Sequence, residues 1–227
     1  MASDYALGMR GIIGFAIFLT VFPLAFAASK PHVISFGKAY VVPWFVGAAE
    51  DNKLDLKIRP LYLDTKLKEF TTGEPRDITD RLFVVRRAYR INDALPQDAK
   101  TAPKWKWQRG GWLLVDRQTG RVSQLNLPQF DPFYSAASWY RDYVAYCGIS
   151  DSGEKLYAVV AEIGRKKPLL DQPLGAAQNS DQPDSQCHAP TWERSPVRVT
   201  FAPKSGQPVS YSIRGQTASP APADEED

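Results

Sequence analysis

Leu54, Leu56 and Ile58 alternate with Asp55, Lys57 and Arg59, and Leu61-Tyr62-Leu63 then runs into Asp64-Thr65-Lys66 before a second apolar stretch over 67–72. A period of two followed by a polar turn predicts a β-hairpin, because side chains on a strand point to opposite faces in succession. The same grammar recurs down the chain. Residues 112–115 and 121–127 flank the turn Asp116-Arg117-Gln118-Thr119-Gly120, and 139–149 and 156–163 flank Asp151-Ser152-Gly153. Residues 197–201 and 209–213 flank Lys204-Ser205-Gly206, and 33–46 reads as one or two short strands interrupted by Gly37 and Pro43. Over 81–91 a strand puts Phe83, Val85, Tyr89 and Ile91 on one face with Arg87 among them, while a helix with Ile78, Leu82, Val85 and Tyr89 inward also fits. The strand is favoured, since Phe, Val, Tyr and Ile suit a pleated surface. The segments 92–102, 128–134 and 175–188 are polar or proline-bearing and read as loops.

The two ends break this pattern. Residues 11–27 carry no charge, follow Arg10 and close on Ala25-Phe26-Ala27, the small-residue ending that a signal peptidase accepts. Pro23 and a run below the roughly 20 residues needed to span a bilayer favour a cleaved signal over an anchor. Cleavage is expected after Ala27, with no stable membrane insertion afterwards. Residues 28–215 are expected to form a single β-rich domain, and 216–227, ending ASPAPADEED, a structureless acidic and proline-bearing tail.

A weak internal repeat underlies the hairpins. Leu61-Tyr62-Leu63-Asp64 returns as Leu113-Leu114-Val115-Asp116 and then as Leu156-Tyr157-Ala158-Val159, at spacings of about 52 and 43 residues. The stretch from Trp112 to Leu170, above all SWYRDYVAYCGISDSGEKLYAVVAEIGRKKPLL, resembles a blade of the periplasmic Tol-type and WD-repeat-like β-propellers. That resemblance implies an all-β fold of antiparallel hairpins arranged as a partial or small propeller. A β-sandwich of the same hairpins is the alternative.

Composition agrees with all-β architecture: the 227 residues include 18 Pro, 15 Gly, 11 Phe, 10 Tyr and 6 Trp, against 2 Met. With 28 basic and 25 acidic residues the formal charge is +3, so no strong field draws nucleic acid. Cys147 and Cys187 are the two cysteines. An exported pair in an oxidising compartment forms a disulfide, and a closed loop of roughly 40 residues contributes about 4 kcal/mol in the chain-entropy account. A metal site from Cys147, Cys187 and His188 lacks a fourth ligand and the usual ligand spacing.

Catalytic signatures are sparse. The histidines are His32 and His188, and no GxSxG, HExxH, P-loop or GxGxxG is present, so no cofactor is expected. Ser35-Phe36-Gly37-Lys38 with Lys204-Ser205-Gly206 copies two elements of penicillin-recognising serine enzymes, but the serine there opens a helix and VISFGKAYVV is strand-like. The carboxylate pairs Asp131 with Asp142 and Asp151 with Glu154 are of a kind that any chain of this length offers. The distinctive local feature is Lys104-Trp105-Lys106-Trp107-Gln108-Arg109-Gly110-Gly111-Trp112. Period two puts Trp105 and Trp107 on one face, which either enters the core or forms an aromatic platform flanked by cations, able to stack on sugars or hold an anionic polymer. Arg86, Arg87 and Arg90 extend that basic surface or pair with acids. Tyr140-Arg141-Asp142, within the strand expected over 139–149, is the second candidate, as a ligand contact or as a structural ion pair. The expected role is an exported binding or assembly module in the periplasm or outside the cell, meeting an envelope protein or an anionic glycan. The alternative is a glycan-binding protein or glycan hydrolase of the envelope.

Overall fold

The computed structural model describes residues 31–45, 53–94, 102–177 and 187–221. The expected signal segment, 1–27, lies outside the described residues. Fifteen strands and no helix occur among the described residues, so the strand reading of 81–91 holds.

The first sheet contains β1 (Ile34–Phe36), β2 (Tyr40–Phe45), β3 (Lys53–Leu63), β4 (Lys66–Asp77), β5 (Leu82–Asn92), β6 (Trp105–Asp116) and β7 (Val122–Gln124). Strands β2 to β6 pair each with the next, antiparallel, and the cycle closes where Trp44 of β2 pairs with Trp107 of β6. Five alternating strands leave the first and last running the same way, so the closing pair is parallel. Val42, Trp44, Leu56, Ile58 and Ala88, with Phe70 and Trp107, form a cluster drawn from all five strands, and Phe133 packs onto it from the loop that follows β7. A second cluster of Leu61, Phe83, Val85, Leu113 and Val115 is covered by Ile34 and Phe36 of β1 and Val122 of β7.

The second sheet is the meander β8 (Ser138–Tyr140), β9 (Tyr143–Ile149), β10 (Lys155–Glu162) and β11 (Leu170–Ala176). The third is the meander β12 (Thr191–Arg194), β13 (Val197–Phe201), β14 (Val209–Arg214) and β15 (Thr217–Pro220). Val144, Tyr146, Val159 and Ala161 of the second sheet pack with Val84 of the first, and Ala145, Cys147, Ala158 and Val160 pack with Val199, Phe201, Tyr211 and Ile213 of the third. The second sheet is therefore a middle layer. This explains why YVAYCGI shows no apolar/polar alternation, since both its faces are buried. VRVTF of β13, covered on one face, alternates as a half-buried strand should.

Several sequence expectations change. Among the described residues no propeller is identified. The first two copies of the repeat end β3 and β6, which belong to one sheet, while the third lies inside β10 of another, so the spacing does not count out blades. The strand expected over 139–149 is broken by a turn at Arg141 and Asp142, with Tyr140 pairing Tyr143 across it. The expected tail begins with strand β15, because Thr217 to Pro220 pair with Arg214 back to Tyr211. Residues 222–227 of that tail lie outside the described residues.

Candidate functional site

Strand β6 carries Trp105, Trp107 and Trp112, and the structure disperses them. Trp105 is 56% exposed. Trp107 is half-buried, its ring edge-on to Phe70 at 5.0 Å. Trp112 packs edge-on to Trp139 at 5.1 Å, in the layer between first and second sheets, with its indole nitrogen buried. The three form no common platform. What remains at the surface is a smaller unit, in which the Arg90 guanidinium lies 5.5 Å from the Trp105 ring and 5.4 Å from the Trp107 ring. The pairing of β5 with β6 sets this up by placing Arg90 directly opposite Trp107. A cation over an exposed indole is worth roughly 0.5–1 kcal/mol, which biases the side chain toward the rings.

The neighbouring cations serve the fold. Lys106 reaches the Asp93 carboxylate at 2.5 Å, and this hydrogen bond holds the Asp93 pKa below its ordinary value. The backbone nitrogen of Lys104 donates to Asn92 Oδ1 at 2.9 Å. Arg87 pairs with Glu69 at 3.0 Å, which accounts for a charge inside the apolar face of β5. Arg109 donates to the carbonyls of Pro132 and Phe133 at 3.0 Å each, and its guanidinium lies 4.5 Å from the Trp44 ring. Arg86 donates to the Pro132 carbonyl at 2.7 Å and to the Gly110 carbonyl at 3.2 Å.

Gly110 permits the close approach of β5 to β6 beside this clamp. The register between β5 and β6 shifts between Arg86 and Ala88, with Arg86 opposite Trp112 and Ala88 opposite Arg109, so β6 carries an extra residue there. A Cβ on Gly110 would come within 3.1 Å of the Arg87 Cβ. The bulge turns Arg109 toward the same loop as Arg86. Sequence reasoning missed this role, although a Gly-Gly inside a strand pattern is a signal for a bulge.

The second candidate is also structural in its main contacts. Arg141 sits at φ +53° in the turn between β8 and β9, over the Tyr140 ring at 5.4 Å, and Tyr140 in turn stacks on Trp192 at 5.5 Å. The Asp142 carbonyl accepts from the Ile163 nitrogen at 2.9 Å. Tyr143 beside it donates to the Gly215 carbonyl at 3.2 Å, and its pKa is raised by burial first, then by Glu162 and Asp142.

Other expectations sort cleanly. Cys147 and Cys187 are joined, tying β9 to the segment that leads into β12, so neither thiol is available as a metal ligand beside His188. Among the described residues no group of His, Cys, Asp and Glu is placed to hold a metal. His32 Nδ1 lies 2.6 Å from Asp64 Oδ2 and the Val33 nitrogen donates to Asp64 Oδ1 at 3.0 Å, which fixes residues 32–33 to the β3–β4 turn. Ser35 stands on β1 of the first sheet, whereas Lys204 to Gly206 follow β13 in the third. Asp131 Oδ1 accepts from the backbone of Phe133 at 2.7 Å, capping its own turn. Asp151 and Glu154 belong to the β9–β10 turn, where Ser152 Oγ donates to Glu154 at 3.3 Å. No family model, curated protein or solved structure matches this chain.

Proposed function

We propose that this chain is an exported binding or assembly module, acting in the periplasm or outside the cell on another component of the envelope. The observation that carries the reading is the pair of Trp105, more than half exposed, and Arg90, which lies within 5.5 Å of two indole rings and has no carboxylate partner among the described residues. Large exposed aromatics with an uncompensated cation are the composition of contact surfaces rather than of solvated ones. The perturbed titrating groups support the same view, since each is explained by an ion pair or hydrogen bond that holds a turn or strand, or by burial of a phenol. The disulfide between two buried positions is consistent with an oxidising compartment. The partial propeller and the sandwich are both arrangements of stacked antiparallel sheets, and the covered middle sheet favours the sandwich.

The occupant is an envelope protein, tested by crosslinking a tagged, exported chain in living cells and identifying what is captured. A defined partner that disappears with Trp105→Ala is expected. Trp107→Ala is an unsuitable probe alone, because Trp107 packs on Phe70. Equal capture by wild type and by a folded Trp105→Ala variant refutes this surface. An anionic glycan is the second reading, favoured by the same unneutralised Arg90 beside a flat indole. Co-sedimentation with isolated cell wall, abolished by Trp105→Ala in the absence of any captured protein, selects it.

A further inference from the structure

The short strand β7 pairs with β6 along one side only. Val122, Ser123 and Gln124 stand opposite Val115, Leu114 and Leu113. Beyond its ends the Asp116 nitrogen donates to the Arg121 carbonyl at 2.9 Å and the Leu125 nitrogen to the Trp112 carbonyl at 2.8 Å. Alternation in an antiparallel ladder therefore turns the backbones of Arg121, Ser123 and Leu125 toward β6, and those of Val122 and Gln124 away from it. Among the described strands none pairs on that outer side.

Two depressions adjoin β7. One, of about 470 Å3, lies over the face of β5, β6 and β7, lined by Leu82, Leu114, Arg121 and Ser123 together with the Arg81–Asp116 ion pair. The other, of about 480 Å3, begins at Gln124 and has an apolar floor of Leu125, Leu127, Val144 and Ile163, with Arg165, Lys166 and Lys167 on its rim. Ser123 and Gln124 being neighbours, the two follow each other along β7. Arg165 is engaged by Glu162 at 3.2 Å, whereas the side chains of Arg121, Lys166 and Lys167 have no hydrogen bond or ion pair with any described residue.

We propose that the free edge of β7 takes up an extended acidic peptide segment of a partner protein as an added strand, with Arg121 and Lys166–Lys167 receiving its carboxylates and the Leu125–Leu127 groove its apolar side chains. Outward backbone groups supply pairing, side chains on one face of the added strand enter the groove at Leu125 and Leu127, and the uncompensated cations select an acidic sequence. An acyl chain or a glycan would leave the strand edge unused. The proposal deepens the binding-module reading by naming a partner chemistry, and it uses none of the residues around Trp105.

The test is fluorescence anisotropy of a labelled ten-residue peptide of alternating Glu and Val against the whole chain. Saturable binding is expected, weakened about tenfold between 50 and 300 mM salt as the Debye length shrinks. Lys166→Glu with Lys167→Glu is expected to cost at least tenfold. Gln124→Pro removes an N–H that points away from β6, so the fold should stand while binding falls about tenfold. Amide exchange at Val122 and Gln124 in the unaltered chain should slow when peptide is bound, which decides the matter even if the proline variant fails to fold. No saturable binding, no added protection at those amides, or equal binding by folded Gln124→Pro overturns the proposal. So does equal binding of phosphatidylglycerol vesicles or of a sulfated polysaccharide. These readouts bear on β7 alone, so their failure leaves the Trp105 surface to be judged by crosslinking.

Discussion

Removing the Cys147–Cys187 link should cost this protein a large part of its stability, and the size follows from where the link sits. The two cysteines are 40 residues apart in sequence, and both are buried, at 1% and 3% exposure, in the cluster between the second and third sheets. Closing a loop of that length in the unfolded chain is worth about 4 kcal/mol in the chain-entropy account. A double substitution Cys147→Ala, Cys187→Ala also removes two packed sulfurs, adding about 1 kcal/mol each from lost contact. The assay is urea unfolding followed by tryptophan fluorescence, with the oxidised wild type beside the double variant. A slope of about 2 kcal/mol per molar urea makes the expected midpoint shift about 2 to 3 M. The slope itself should rise, because an unlinked unfolded chain exposes more surface. A shift below about 0.5 M with an unchanged slope would refute the reasoning. It would mean that the third sheet is held to the second by packing alone.

Other outcomes follow from single contacts. Thr65 is β-branched at φ +68° beside Asp64 at φ +48°, so Thr65→Gly should relieve the turn by about 1 kcal/mol and raise the melting temperature by a few degrees. Gly148→Ala should cost about 1–3 kcal/mol by overpacking, as its Cβ would lie 2.9 Å from the Gln129 Cβ and 3.0 Å from Val159 Cγ2; calorimetry reads this directly. The pKa of Asp116 is held far below its ordinary value, first by the hydrogen bond from Arg81, and that of Asp64 is lowered first by the hydrogen bond with His32. Depressed carboxylates contribute stability that is present above about pH 4 and lost as pH falls through the folded values. Urea midpoints should therefore drop on the acid side, and Asp116→Asn should flatten that drop.

The strand character of the chain was legible wherever one face is wet, as in Leu56 and Ile58 of β3 or Val199 and Phe201 of β13, because alternation records a single buried side. It was legible by residue type in β9 and β10, but that they form a middle layer was not, since a run such as YVAYCGI is compatible with any arrangement that covers both faces. The disulfide was legible from a count of two cysteines taken with the expected export. The tryptophans show the limit most clearly: their two-residue spacing put Trp105 and Trp107 on one face, but how deep that face goes depends on Phe70 and Arg90, which arrive from β4 and β5.

Local chemistry thus determined the strand character of most elements, the hairpin turns that join them and the cysteine pairing, all of which depend on neighbours within a few residues or on composition. Tertiary structure decided the rest. The parallel closure of β2 on β6, the bulge that aims Arg109 at the 131–135 loop, and the edge of β7 that no described strand pairs all depend on which strand lies beside which. Pairing is a long-range choice, settled by the total surface buried across three sheets, and no single segment carries it.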